Sequence, residues 1–171
     1  QRVAQDWLGL QLTHNAFAVG VATAMQFVPT LIFGMSAGLV ADRFDKRHVL
    51  LATVSTLGLC ASVLGVLCLT DTVRLWHVLA IAFFTGTAAC FDNPTRSAFV
   101  HEIVGPGRLR NAVSVNSAVF QLGALAGPAV SAGLITAVGT GWAFVATGGW
   151  YVIVLAAFFR IHSADLIRSP R

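Results

Sequence analysis

The chain has 171 residues, of which 56% are hydrophobic and only 11% charged, and its mean hydropathy is +0.77. A soluble domain carries roughly 45–50% apolar and about 25% charged residues, so the composition excludes one and calls for a membrane protein. A net charge of +4 would suit a nucleic-acid partner, but the basic residues lie between apolar runs rather than in one patch, which excludes that class.

Gln1 to Leu12 (QRVAQDWLGLQL) reads as the tail of a first helix that is cut in half, with Arg2 and Asp6 one turn apart where they can pair. No charged n-region followed by an apolar h-region marks it as a signal peptide. Five complete spans follow, at about 17–41, 49–70, 75–91, 112–138 and 142–159. Each approaches or exceeds the roughly 20 apolar residues that a crossing helix needs. The runs are too long and too uniform for barrel strands, so the expected fold class is all-α integral membrane. The run from Ala112 to Phe159 holds 48 residues without a charge and must fold back once, and Gly139-Thr-Gly141 offers the turn.

Basic residues alternate by connection. Successive loops hold none, then three (Arg43, Lys46, Arg47), one (Arg74), three (Arg96, Arg108, Arg110), none, and three in the tail (Arg160, Arg168, Arg171). The positive-inside rule therefore places loops 42–48 and 92–111 and tail 160–171 in the cytoplasm, with nine of the eleven basic residues. Cys60, Cys68 and Cys90 lie within spans without C-x-x-C spacing, and the five histidines show no H-E-x-x-H, so neither a disulfide framework nor a metal site is indicated. The single lysine, Lys46, lies outside any Walker A pattern, and no cofactor is expected. Energy for any transport then comes from an ion gradient or from a separate partner.

Three motifs stand out. Gly38-Leu-Val-Ala-Asp42-Arg43-Phe-Asp45-Lys46-Arg47 is a helix end, a tight turn and the start of the next helix. There Asp42 can complement a helix N-terminus while Arg43, Lys46 and Arg47 pair with acids or headgroups. Asp92-Asn-Pro94-Thr-Arg96 sets an acid and a base at i, i+4 around a proline that disfavours helical geometry at Asn93, so the fourth span should end or kink there. Gly123-Ala-Leu-Ala-Gly127-Pro128, and Gly34 with Gly38, give smooth faces for close helix packing. An ordinary basic loop, a headgroup anchor and a dimerising helix are the plainer readings of the three.

These residues resemble the major facilitator superfamily. Gly38-x-x-x-Asp42-Arg43-x-x-x-Arg47 is similar to the signature loop between its second and third helices, with Asp45 where glycine is common, as in the drug- and siderophore-exporting branch. Asp92 to Phe99, leading to Leu109-Arg110-Asn111, resembles the end of the fourth helix and the start of the fifth there. Gly123 to Pro128 resembles the antiporter motif. The resemblance implies the amino-terminal six-helix bundle of an exporter, truncated in its first helix and lacking its carboxy-terminal bundle. It also implies a gating latch of Gly38, Asp42, Arg43, Arg47, Asp92 and Arg96, in which Asp42 is the helix-capping acid and Arg43 and Arg47 its charge partners.

Polar groups at membrane depth are costly, which makes Asp6, Gln26, Asn116 and Gln121 candidates for a substrate or proton path, beside the plainer role of bonding across helices. Desolvation favours the neutral acid at Asp6, the form that carries a proton, whereas a pairing with Arg2 favours the carboxylate. The family's fourth-helix arginine would fall at Ala82, four residues before Gly86, and is missing. The expected function is proton-coupled efflux of a small, partly apolar molecule by alternating access, without covalent chemistry on the substrate. The expected partners are the lipid bilayer, protons, the substrate and a second bundle. The alternative is an inactive or structural membrane fragment; the membrane domain of an ATP-driven exporter is a third class that the Asp42 loop disfavours.

Overall fold

A computed structural model describes residues 1–104 and 109–160 of the chain. Among these, six helices follow one another: α1 Arg2–Thr13, α2 Ala16–Arg43, α3 Lys46–Leu69, α4 Leu75–Val104, α5 Leu109–Val138 and α6 Thr140–Arg160. Five of them are long and apolar enough to cross a membrane, so the protein is an all-α, multi-pass membrane protein. Arg108 and the tail from 161, with Arg168 and Arg171, lie outside the described residues.

Local chemistry sets the turns. His14 closes α1 in the left-handed region at φ 50°, its N–H donating to the Leu10 carbonyl at 2.8 Å, and the Asn15 side chain accepts from Phe17 N–H at 2.9 Å to open α2. Asp71 takes φ 52° between α3 and α4. Gly139, at φ 85°, is the single residue between α5 and α6, so the expected three-residue turn contracts to one and Thr140 and Gly141 begin α6. At one end of the bundle the Thr140 hydroxyl at the start of α6 donates to Gln11 Oε1 near the end of α1, at 3.2 Å.

The fourth span departs from expectation. It does not end near Phe91 but continues helically through Pro94 to Val104. Proline removes one N–H donor from the ladder, and side chains bind the turn around it. The Thr95 hydroxyl donates to the Phe91 carbonyl at 2.7 Å, the Ser97 hydroxyl donates to Asn93 O at 3.0 Å, and Arg96 bridges back to Asp92.

The bundle is held chiefly by α2 against α4 and by α3 against α6 and α4. Ala4, Leu8, Cys60, Leu64, Val78, Ile81 and Phe144 form one buried cluster joining α1, α3, α4 and α6. Close approach depends on glycines. A Cβ at Gly86 of α4 would overlap the Gln26 backbone of α2, and one at Gly65 of α3 would crowd Val145 and Gly141 of α6. The glycines expected to make helix seams lie elsewhere: a Cβ at Gly34, Gly38, Gly123 or Gly127 would meet nothing within 4 Å. Among the described residues, then, these four glycines make no close helix seam. None of residues 110–138 on α5 is buried, and Pro128 lies inside that helix.

Candidate functional site

Asp6 stands seven residues before the end of α1 and Gln26 ten after the start of α2, about 10 and 15 Å along their helices from the turn that joins them. There the half-buried Asp6 Oδ1 accepts from the Thr23 hydroxyl at 3.3 Å and from Gln26 Nε2 at 3.4 Å. Gln26 is itself buried, its backbone pressed by Gly86. A residue with a Cβ at 86 would collide with the Gln26 backbone and push α4 away from α2.

Arg2 does not pair with Asp6. No ion pair joins them among the described residues; the guanidinium of Arg2 instead stands over the Phe27 ring, 5.7 Å from its centroid. Asp6 takes its hydrogen bonds from α2, and Phe27 lies one position beyond Gln26 on the same helix. Arg2 and Phe27 are both exposed. Asn116 and Gln121 lie apart on the exposed α5 and make no side-chain hydrogen bond among the described residues. The structure thus brings together Asp6 and Gln26, and adds Thr23, Arg2 and Phe27 to them. Threonine in an apolar run gives little warning of such a role, because its hydroxyl can satisfy itself on its own helix: Thr23 shares its one proton between Asp6 and its own Val19 O at 3.0 Å.

A second cluster lies towards the opposite end of the bundle, nearer the Gly38–Arg47 turn. Asp92, 7% exposed, accepts from Arg96 Nε at 3.0 Å and Arg96 Nη2 at 3.2 Å, and from the buried Thr53 hydroxyl of α3 at 2.9 Å. The bidentate pair spans Pro94, and the Thr53 bond ties that turn of α4 to α3. In the neighbouring turn Asp45 caps α3: its carboxylate accepts from Arg47 N–H at 2.9 Å and lies 3.4 Å from His48 Nδ1. Asp42 belongs to the last turn of α2, at the same end of the bundle as this cap. Asp42 and Arg43 are exposed there and join no ion pair among the described residues. A groove of about 770 Å³ opens beside this turn between α2 and α3, floored by Phe84, Thr87, Ala88 and Phe91 of α4.

The family profile described as transmembrane secretion effector matches residues 1–168. The chain is 29% identical over 138 residues to the staphyloferrin A transporter of Staphylococcus aureus, covering 80% of this chain and 34% of the relative. It is 29% identical over 162 residues to the multidrug efflux pump Tap of Mycolicibacterium fortuitum (90% and 39% covered). It is 22% identical over 120 residues to the macrolide efflux protein A of Streptococcus pyogenes (70% and 30% covered). No solved structure matches. The chain spans between 30% and 40% of the length of these relatives.

Proposed function

The chain belongs to the transmembrane secretion effector family of major facilitator transporters, and from that premise we propose that it is the amino-terminal bundle of a proton-coupled exporter of small, partly apolar molecules. The observation that carries the reading is the half-buried Asp6 carboxylate, held between apolar helices by Thr23 and Gln26. An ionisable group inside the membrane is expensive to keep, and one that can take up and release a proton links substrate movement to a gradient. Relatives named for a siderophore, a macrolide and several drugs fit a site that combines one acid with aromatic surface.

In this reading loops 42–48 and 92–111 and the tail from 160 face the cytoplasm, because nine of eleven basic residues fall there. Asp42, Arg43 and Arg47 then stand at the cytoplasmic end with Asp92 and Arg96, where contacts with a second bundle would close the inner gate. The exposed glycine faces of α2 and α5 suit the same second bundle.

The test is proton counterflow in proteoliposomes containing the full transporter, followed with an internal pH dye while substrate is driven across. Asp6→Asn keeps a hydrogen-bond acceptor beside Thr23 and Gln26 but cannot ionise, and it should cut substrate-dependent proton flux about a hundredfold, within the range that one proton-transfer group contributes. Wild-type flux in that variant would remove Asp6 from the coupling step.

A further inference from the structure

Only Phe44 and Asp45 join α2 to α3, yet the two helices hardly touch, because α2 packs along α4 while α3 packs along α6 and α4. They diverge from their turn, and the groove of about 770 Å³ lies in the gap with α4 as its floor. On α3 it runs from Asp45 to Thr56, about 16 Å of helix. Its walls carry the exposed rings of Phe44 and Phe84, and Phe91 is backed by Phe33 at 6.2 Å between centroids. The hydroxyls that line it are already engaged: Thr53 on Asp92, Thr56 on Ala52 O and Thr87 on Phe83 O. A guest inside the groove meets methyl groups and rings, and finds side-chain charge only at the end where Asp45 and His48 stand.

We propose that this groove holds one acyl chain of an anionic phospholipid from the leaflet at the Gly38–Arg47 end, with the lipid phosphate at the turn. Lipid tails are as apolar as the groove, so shape places the chain and the head decides which lipid stays. In that turn three fixed cations, Arg43, Lys46 and Arg47, stand against two carboxylates, Asp42 and Asp45, and His48 adds a further charge when protonated. Basic clusters at the end of a membrane helix attract anionic heads. A phospholipid brings both parts in the right order, a chain that needs no hydrogen bond and a phosphate at the water boundary. Val40, which lines the groove, is two residues from Gly38 and so about 200° round α2 from it. The groove thus lies away from the glycine face offered to a second bundle. The site stands independently of Asp6 and of what the transporter moves.

Its test is photocrosslinking in nanodiscs that hold the full transporter, with trace phosphatidylglycerol or phosphatidylcholine carrying the same diazirine acyl chain, and with labelled peptides mapped by mass spectrometry. Relative to labelling elsewhere on the bundle, phosphatidylglycerol should label the groove segments of α3 and α4 about fivefold more than phosphatidylcholine, the value of one basic residue beside an anionic head. Ala52→Trp, which fills the groove from its α3 wall, should remove that label and spare the rest. Arg43→Gln combined with Lys46→Gln reverses the charge surplus and should bring the preference below about twofold. This second variant leaves the groove walls intact, so the test stays decisive if Ala52→Trp does not fold. Equal labelling of the groove by the two lipids in the wild type would reduce it to general contact with the bilayer and overturn the site. No groove labelling by either lipid would mean that another part of the transporter fills it, and would overturn the site equally.

Discussion

The seam between α3 and α6 and the surface of α5 are both rich in small residues, yet they behave in opposite ways. Along the seam, Gly58 meets Tyr151, Gly65 meets Val145, Gly141 meets Leu69 and Gly148 meets Ser62, so each missing Cβ is filled by the facing helix. On α5, Gly123, Gly127 and Gly133 meet nothing within 4 Å. A glycine stripe is thus a capacity for close approach, and whether it becomes stability depends on what stands opposite. The difference also separates two jobs within one bundle. The partnered glycines hold its own helices together, while the unpartnered ones leave a smooth surface available to something else.

The contrast can be broken from its strongest point downward. Gly86→Val should be the most damaging substitution, because the new side chain would press on the Gln26 backbone, which cannot rotate aside. We expect a loss of about 3 kcal/mol or more, or failure to obtain folded protein, read as thermal unfolding and monodispersity in detergent. Thr53→Val comes next. It leaves Asp92 buried with one donor fewer and should cost about 1–3 kcal/mol in the same assay, whereas Thr53→Ser, which keeps the hydroxyl, should recover most of that. Gly127→Ala should do least, with stability unchanged or raised by less than about 1 kcal/mol, since alanine favours the helix and nothing stands in its way. A destabilisation by Gly127→Ala as large as that by Gly86→Val would mean that α5 has an unrecognised partner within the bundle.

Much of the fold is legible in the chain because desolvation leaves few options: charge-free runs of sufficient length must be helices in lipid, and the two ends of α2 and α3 fall within a few residues of their expected limits. Pro94 does not end the helix. The rule concerns one missing N–H donor and local sterics, and here the helix continues to Val104 with Thr95, Arg96 and Ser97 bonded within the surrounding turns. The site is only half legible. Asp6 and Gln26 announce themselves as polar groups in apolar surroundings, but their bond joins residues 20 apart in sequence, and no local pattern names Thr23 as its third member. Gly86 shows the same limit, since nothing around it says that its neighbour is a peptide carbonyl on another helix. The spacing of Gly58, Ser62 and Gly65 on α3 did carry a signal, small residues at successive turns, that the longer Gly123–Pro128 motif overshadowed.

The length of α4 has a mechanical consequence. Its 30 residues measure about 45 Å, half again the hydrocarbon thickness, so the helix either leans or extends into the headgroup region and beyond. The Asp92–Arg96 pair braces the turn that holds Pro94, and the twelve residues from Asp92 to Val104 extend about 18 Å beyond it, so any lean of the whole helix displaces this end more than the residues around Gly86.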